Sequence, residues 1–501
     1  MNRTRSLAQI TAGMVQVPVD LSVTDVTLDS REASPGALFL ACRGLTHHGI
    51  EFAPQAVERG ARAVLFETDE QGHAPAVPDL GGIFVAPVPR LSRRAGEIAN
   101  RFFGAPSQAL TVAGITGTNG KTTSAFLLAQ ALGFCGRPAA YSGTLGVGFP
   151  DAIQPGTHTT SDAVTVHRQL DALRRAGASC VCMEVSSHAL HQARVDAVRF
   201  HTAVFTNLTR DHLDYHGTME DYAASKALLF AWPTLALRVV NVDDAFGVEL
   251  AARGGPGQLV TTSRAAGTAV ASDRFVRAVR VQAREAGLAI GVESSWGDRE
   301  VDTSLIGDFN VDNVLGVLAV LLGWGIGLDE AAQAISRCRA PSGRMEAFGG
   351  RVEALAIVDY AHTPDALAKA LKSARTHCRG RLYVVFGCGG DRDTGKRPLM
   401  GAVAAELADE IIITDDNPRT EDPRRIVADI RAGIDVARAV RIEHDRAKAI
   451  ADALASARAG DVVLIAGKGH EDYQIYGRDR RSFSDQAVVR RQLKVQACSE
   501  R

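Results

Sequence analysis

Apolar and polar positions along this chain fall into blocks with different rhythms. In the middle, strand-like runs take turns with helical patterns. "LTVAGIT" (Leu110–Thr116) leads into a helical pattern from Thr122, and "CVCMEVS" and "FHTAVFTNL" read as further strands. Such alternation predicts a parallel sheet with helices on both faces. Next come "VRAVRVQA", "GLAIGVES" and "VDTSLIG", short and two-sided, which predict a small antiparallel excursion. The α/β rhythm then returns in "RLYVVFG", "EIIITDD" and "DVVLIAGKG", each ending on Gly or acids, where α/β proteins place ligand loops. The first hundred residues are mixed. Two seams rich in Pro and small residues, "FFGAPSQA" (Phe102–Ala109) and "RAPSGR" (Arg339–Arg344), divide the chain. The predicted domains are residues 1–107, 108–339 and 340–501.

Two local patterns sharpen this picture. The apolar run "VLGVLAVLLGWGIGL" (Val314–Leu328) is shorter than the ~18–20 residues that span a bilayer. Asp312, Asn313 and Asp329 flank it, so it reads as one buried helix. In "GTMEDYAASKALLF", Thr218 is a predicted N-cap with Asp221 at the third helical position. Met219, Tyr222, Lys226, Leu229 and Phe230 then share one face, which puts Lys226 on the apolar stripe. A lysine there either snorkels or is desolvated, which lowers its pKa by up to ~3–5 units and lets the neutral amine take up CO₂ as a carbamate.

Composition adds bounds. Hydrophobic residues make up 46% of the 501 positions, enough for real cores. The net charge of −1 gives no electrostatic case for nucleic acid or an anionic membrane. The N-terminal "MNRTRSLAQITAG" lacks the apolar core of a secretion signal. The 8 cysteines include no CxxC pair, which predicts reduced thiols in a cytoplasmic protein.

Candidate chemistry concentrates at strand ends. "GITGTNGKTTS" (Gly114–Ser124) follows a strand and opens a helix. Gly117 and Gly120 let the backbone N–H groups face an anion, Lys121 adds a charge, and the Thr122 hydroxyl suits Mg²⁺. The strict phosphate-loop pattern wants its first Gly at 115, where this chain has Ile115. A second Gly-rich turn, "GCGGDR" (Gly387–Arg392), has Arg392 where a dinucleotide fingerprint wants its third Gly. Glu184 ends one strand, and Asp211 and His212 follow the next. With Thr122 they form a candidate divalent-metal set. Ser186, Ser187 and His188 lack the G-x-S-x-G elbow of a serine hydrolase. "IIITDDNPRTEDP" (Ile411–Pro423) stops a strand on both signs of charge around Pro418, a turn suited to a ligand that carries both charges.

These pieces occur in a known order. "TGTNGKTT", "MEVSSH", "TNLTRDHLDYHG", "SKALLF", "FNVDN", "GRME", "DYAHTPDAL" and "GKGHEDYQ" resemble the Mur ligases from about Leu28 to Gln474. The match is to the branch that adds meso-diaminopimelate to UDP-N-acetylmuramoyl-L-alanyl-D-glutamate. The resemblance implies a mixed α/β N-terminal domain for the UDP-sugar, a central phosphate-loop ATPase domain and a C-terminal Rossmann-like domain. It implies that Leu28, Ser30, Leu45, Thr46 and His47 hold the UDP-sugar. His158, Thr159, Thr160, Ser186, Gln192 and Arg194 would hold the muramoyl-dipeptide. Gly117, Thr118, Asn119, Gly120, Lys121, Thr122 and Thr123 would hold the ATP phosphates. Thr122, Glu184 and His212 would bind Mg²⁺, and Lys226 would be the carboxylated lysine. Asn310, Arg344, Asp359 and His362 would close on ATP from the interdomain side. Arg392, Asp416, Asn417, Pro418, Arg419, Gly467 and Glu471 would bind diaminopimelate.

The implied reaction needs no catalytic triad. The D-glutamate γ-carboxylate attacks ATP, and the resulting acyl phosphate is displaced by the amine. The protein positions the reactants and offsets charge, with Lys121, Lys226, His212 and Glu184 nearest the chemistry. The expected form is a monomer that takes small-molecule substrates, without nucleic acid or membrane insertion. Three other readings compete: a sister ligase adding L-lysine, folylpolyglutamate synthase, and a nucleotide-switch ATPase that hydrolyses ATP without an amino acid.

Overall fold

A computed structural model describes residues 3–17, 21–44, 46–73, 75–156, 158–264, 272–284, 287–350 and 353–493. By internal contacts the chain forms two compact units. One comprises Met1–Ala125, Gly136–Val260 and Val270–Asp273, the other Phe126–Cys135, Thr261–Ala269 and Arg274–Arg501.

Besides the short antiparallel pair Arg5–Ser6 and Ser22–Val23, the first unit holds two larger sheets. The N-terminal one is parallel, with Asp25–Thr27, Ala37–Ala41, Ala63–Thr68 and Phe84–Pro89 in spatial order. The larger sheet runs Gln258–Ser263, Leu237–Asn241, Phe200–Phe205, Thr111–Thr116, Cys180–Glu184, Ala139–Gly143, Gly146–Gly148. Thr111–Thr116 lies at its heart, parallel to both neighbours. Val112, Val181, Phe200 and Phe205 are buried there, as expected of strands covered on both faces. The carboxyl ends of these strands point the same way and carry the phosphate loop, Glu184 and the segment from Thr206.

The second unit contains the antiparallel excursion and a six-stranded sheet. Arg274–Arg284, Gly287–Ser294 and Gly297–Thr303 pair antiparallel. The third strand starts earlier than "VDTSLIG" suggests and ends at Thr303, because its exposed half, Gly297–Glu300, is polar. The six-stranded sheet runs Glu346–Gly349, Leu355–Asp359, Val462–Ala466, Leu382–Phe386, Glu410–Ile413, Arg441–Ile442, and only its first pair is antiparallel. Five adjacent parallel strands therefore deliver loops to one edge of this sheet.

The apolar run at Val314–Leu328 is a buried helix as expected, but only as far as Gly323. Asn310–Gly323 is buried almost throughout, the chain turns at Gly325 with φ +80°, and Leu328–Arg337 begins a second helix. Left-handed backbone at a glycine ends a helix at little steric cost. Lower in this unit, Arg446 and Asp485 form a two-pronged ion pair at 2.7 and 2.8 Å, with both side chains fully buried. The third arginine contact goes to the Ala466 carbonyl, so the pair braces the end of a core strand. Among the described residues, no helix is long and apolar enough to cross a membrane.

Candidate functional site

The phosphate loop leaves strand Thr111–Thr116 and enters the helix Lys121–Phe134. Gly117 sits at φ +150°, and a Cβ there would lie 1.9 Å from Thr206 Oγ1. Only glycine fits this curl. The loop is pinned from the next strand end: Thr118 N donates to Asn207 O at 2.8 Å, and Asn119 N to Asn207 Oδ1 at 2.9 Å. Lys121 Nζ donates to the carbonyls of Gly117 and Thr118, both at 2.8 Å.

Lys226 reaches the same place. It lies on the helix Met219–Ala227, capped by Thr218, whose Oγ1 accepts from Asp221 N at 3.1 Å. The side chain is 1% exposed, so it does not snorkel. Its Nζ donates to Gly117 O at 2.8 Å and lies 4.2 Å from the centre of the Tyr222 ring. Its pKa is lowered to about 6, chiefly by burial and then by the nearby Lys121 charge, with Asp211 opposing the shift. Near neutral pH the amine is therefore largely unprotonated and nucleophilic. Tyr222, which sequence reasoning used only as a stripe marker, also touches the loop: its hydroxyl meets Thr118 Oγ1 at 3.1 Å.

Glu184 is the hub of the first unit's site. Thr122 Oγ1 donates to its Oε2 at 2.9 Å, Thr144 N donates to Oε1 at 2.9 Å, and the Tyr141 hydroxyl also donates to Oε1. Tyr141 and Thr144 escaped the sequence reading. Their only signal is the glycine-bearing strand end "YSGT", next in space to the strand of Glu184. His212 stands apart from these bonds. It has φ +53°, is half exposed, and faces Asp211 at 3.6 Å and the His188 ring at 4.9 Å.

The dipeptide candidates gather around the same strand end. Thr160 Oγ1 donates to Glu184 O at 2.8 Å and accepts from Ser186 N at 3.1 Å. Thr159 Oγ1 meets Thr144 Oγ1 at 3.0 Å. Arg194 donates to Thr160 O and, through two nitrogens, to Gln192 Oε1. His158 is exposed beside them in sequence. Ser187 is buried, with its hydroxyl 3.0 Å from His216 Nε2. In the N-terminal sheet, Ser30 is buried and donates to Gln55 Oε1 at 2.7 Å, whereas Leu28 is half-buried and Thr46 and His47 are exposed. Leu45 lies outside the described residues. The neighbouring His48, not singled out in the sequence, is the anchored residue of this loop. It is buried and bonded to Glu67 O and Ile50 N.

The second unit has a cleft of about 450 Å³ at the carboxyl edge of its sheet. Arg392 comes from the loop after Leu382–Phe386, Asp416, Asn417 and Arg419 from the loop after Glu410–Ile413, and Gly467 and Glu471 from the loop after Val462–Ala466. His362 lines the same cleft. Cations and carboxylates thus face one space. The Gly387–Arg392 loop packs against the other turn: a Cβ on Gly390 would lie 1.9 Å from Pro418 O. That approach leaves no room for a dinucleotide phosphate between them. Arg419 has φ +53° and donates one arm, Nη1, to Gly390 O at 2.8 Å, so its fork is anchored at one prong.

The two loops are laced together. Thr420 N and Oγ1 both donate to the Asp391 carboxylate, at 3.1 and 2.8 Å, and Asp391 N donates to Glu421 Oε1 at 2.5 Å. Beneath them the fully buried Arg397 joins Glu421, Asp429 and the Gly389 carbonyl. Nearby, the Asp359 carboxylate accepts from Met345 N and Ala361 N. Burial raises its pKa, against the Arg344 charge. Arg344 stacks over the Tyr360 ring at 5.0 Å. Asn310 is 2% exposed, and both ends of its amide are engaged within the unit, with Ile306 O and Asn313.

Comparison with known proteins adds three family matches and several relatives. The family models described as "Mur ligase family, catalytic domain", "Mur ligase middle domain" and "Mur ligase, glutamate ligase domain" match residues 22–103, 115–321 and 343–469. The UDP-N-acetylmuramoyl-L-alanyl-D-glutamate–2,6-diaminopimelate ligase of Ectopseudomonas mendocina is 49% identical over 463 residues, 92% of this chain and 93% of that one. The protein of the same name from Chromobacterium violaceum is 49% identical over 94% of each chain. A solved structure of a ligase of that name superposes with a TM-score of 0.73 at 36% identity, covering 98% of this chain and 99% of that one.

Proposed function

The chain belongs to the Mur ligase family, and from that premise we propose that it joins meso-diaminopimelate to UDP-N-acetylmuramoyl-L-alanyl-D-glutamate at the expense of ATP. The product is a peptidoglycan precursor, and the reaction serves cell-wall growth, shape and division in the cytoplasm. The observation that carries the choice of amino acid is the cleft of the second unit, where Arg392 and Arg419 share one space with Asp416 and Glu471. Diaminopimelate bears an amino-acid head at each end, and an arginine fork beside a carboxylate matches the far one. In this reading the chain divides at 107/108 and 339/340. The N-terminal segment binds the UDP-sugar through Leu28, Ser30, Leu45, Thr46 and His47, and Asn310, Arg344, Asp359 and His362 serve the nucleotide.

The residues near the phosphate loop divide the work. Backbone N–H groups from Gly117 to Thr123 orient the phosphates, and the Lys121 ammonium offsets charge as the phosphoryl group transfers. Magnesium fits the donors, because Thr122 Oγ1 and Glu184 Oε2 converge at 2.9 Å and both are hard oxygens. His212 would complete the set. When bound, the ion would neutralise negative charge on the phosphates. Tyr141 and Thr144 hold Glu184 in place. Thr159, Thr160, Ser186, Gln192 and Arg194 orient the dipeptide beside it. Lys226, carrying CO₂ as a carbamate, would present an anion next to Gly117.

One assay tests the reading. ATP and the UDP-muramoyl-dipeptide are offered with meso-diaminopimelate or L-lysine in parallel, and the product mass is measured. A mass increase with diaminopimelate supports it. Lysine addition alone, or ATP hydrolysis with neither amino acid required, rejects it. In the same assay Arg419→Ala will lower the preference for diaminopimelate over L-lysine by about 10²-fold, the loss expected when one partner of a buried charge pair is removed. The KM for ATP will not change. An unaltered preference would remove Arg419 from the specificity set.

A further inference from the structure

Lys468 stands in the loop after strand Val462–Ala466, and no step above uses it. Its side chain is 0% exposed. The Nζ donates to Asn417 Oδ1 at 3.2 Å and to Glu471 Oε2 at 3.0 Å. Asn417 is oriented by the same arrangement. Its Oδ1 also accepts from Ile475 N at 3.0 Å, and its Nδ2 donates to Glu471 Oε2 at 2.8 Å. The Tyr473 ring lies 5.3 Å from Nζ.

Two features separate this lysine from an ordinary buried cation. First, Asn417, Glu471 and Tyr473 all line the cleft, so its contacts lead to the site rather than into the apolar core. Second, Glu471 takes both donors on one oxygen, Oε2. Its Oε1 accepts no hydrogen bond within the described residues. A carboxylate held this way is fixed in place by two donors on one side. It also presents a single oxygen in a fixed direction. Positional control of that kind is how a supporting group sets the geometry of one that touches substrate.

We infer that Lys468 is a positioning residue for amino-acid recognition: its hydrogen bonds fix Asn417 and Glu471, with Glu471 Oε1 presented to the ammonium of the incoming amino acid. This rests on the ligase reading above. A purely structural lysine would protect folding and affect every substrate alike. A positioning lysine affects one substrate.

The test is steady-state kinetics on the full chain with Lys468→Met, which keeps the length and removes the charge. The KM for diaminopimelate is expected to rise about 10- to 100-fold, as for the loss of a hydrogen bond to a charged group. KM values for ATP and the UDP-dipeptide should stay within about twofold of wild type by the same measure. The kcat at saturating diaminopimelate should change by less than the KM does. Lys468→Gln retains an amide donor without charge and should show a rise in the same KM alone, which serves if the Met variant does not fold. An unchanged KM for diaminopimelate, equal weakening of all three substrates, or failure of both variants to fold overturns the inference. Wild-type turnover with diaminopimelate, measured in the same series, tests the ligase reading separately. If the wild type takes only L-lysine, the KM is read for L-lysine.

Discussion

Lys121→Ala will lower ligation by about 10³- to 10⁵-fold, the range for a cation that offsets charge in phosphoryl transfer. The loop's shape should survive, because the backbone bonds from Asn207 and the fit of Gly117 against Thr206 do not involve the lysine. The loss should therefore fall on kcat more than on nucleotide affinity. Single-turnover formation of acyl phosphate, read as ADP release, would check it, and a near-normal rate would remove Lys121 from the site. A second consequence is measurable in the same variant. Lys121 is the second-largest cause of the depressed Lys226 pKa, so its removal lets Lys226 hold its proton to higher pH.

Lys226→Ala will lower turnover by about 10³-fold, and short carboxylic acids added to the buffer will restore part of it. The size is that of removing one electrostatic group from a preorganised site. The rescue follows from chemistry: a small carboxylate can occupy the place of a carbamate oxygen pair. A fully active alanine variant would leave Lys226 with a packing role only. Mass spectrometry under CO₂ at neutral pH should show the added carbamate on the wild type. Below about pH 6 the amine is protonated, and the adduct should disappear. The stability linkage has the opposite sense to a paired lysine. The unfolded chain holds the proton up to about 10.5 and the folded one only to about 6, so the unfolded state binds more protons in between. Stability from this group rises with pH across that window, and its burial costs most below pH 6.

Much of the site was legible because its signals are local. A strand, two glycines, Lys121 and Thr122 stand within a dozen residues, and the fold places them as that spacing implies. Lys226 was legible because helical period alone puts it on the Tyr222 and Leu229 face, and it is buried there. What escaped was nonlocal. Tyr141 and Thr144 meet Glu184 only because two strands some forty residues apart in sequence are neighbours in the sheet. Lys468 sits in a loop whose sequence has no periodicity from which burial could be read. Arg419 was expected among the diaminopimelate contacts, but that the Gly390 carbonyl, brought close by a different loop, takes one arm of its fork could not be read from the sequence. The break at Gly325 was missed because an unbroken apolar run carries no phase, and only a left-handed glycine marks the turn.

Arg397 gives the two cleft loops a common fate. Its guanidinium joins Gly389 of one loop to Glu421 of the other, and Glu421 in turn receives Asp391 N. Neither loop can lift without breaking charge-assisted bonds held by the other, so local opening there is a single event. In hydrogen–deuterium exchange the amides of Asp391 and Thr420 should therefore share one protection factor, and Arg397→Met should lower both together. Separate responses at the two amides would show that the lips of the cleft open independently.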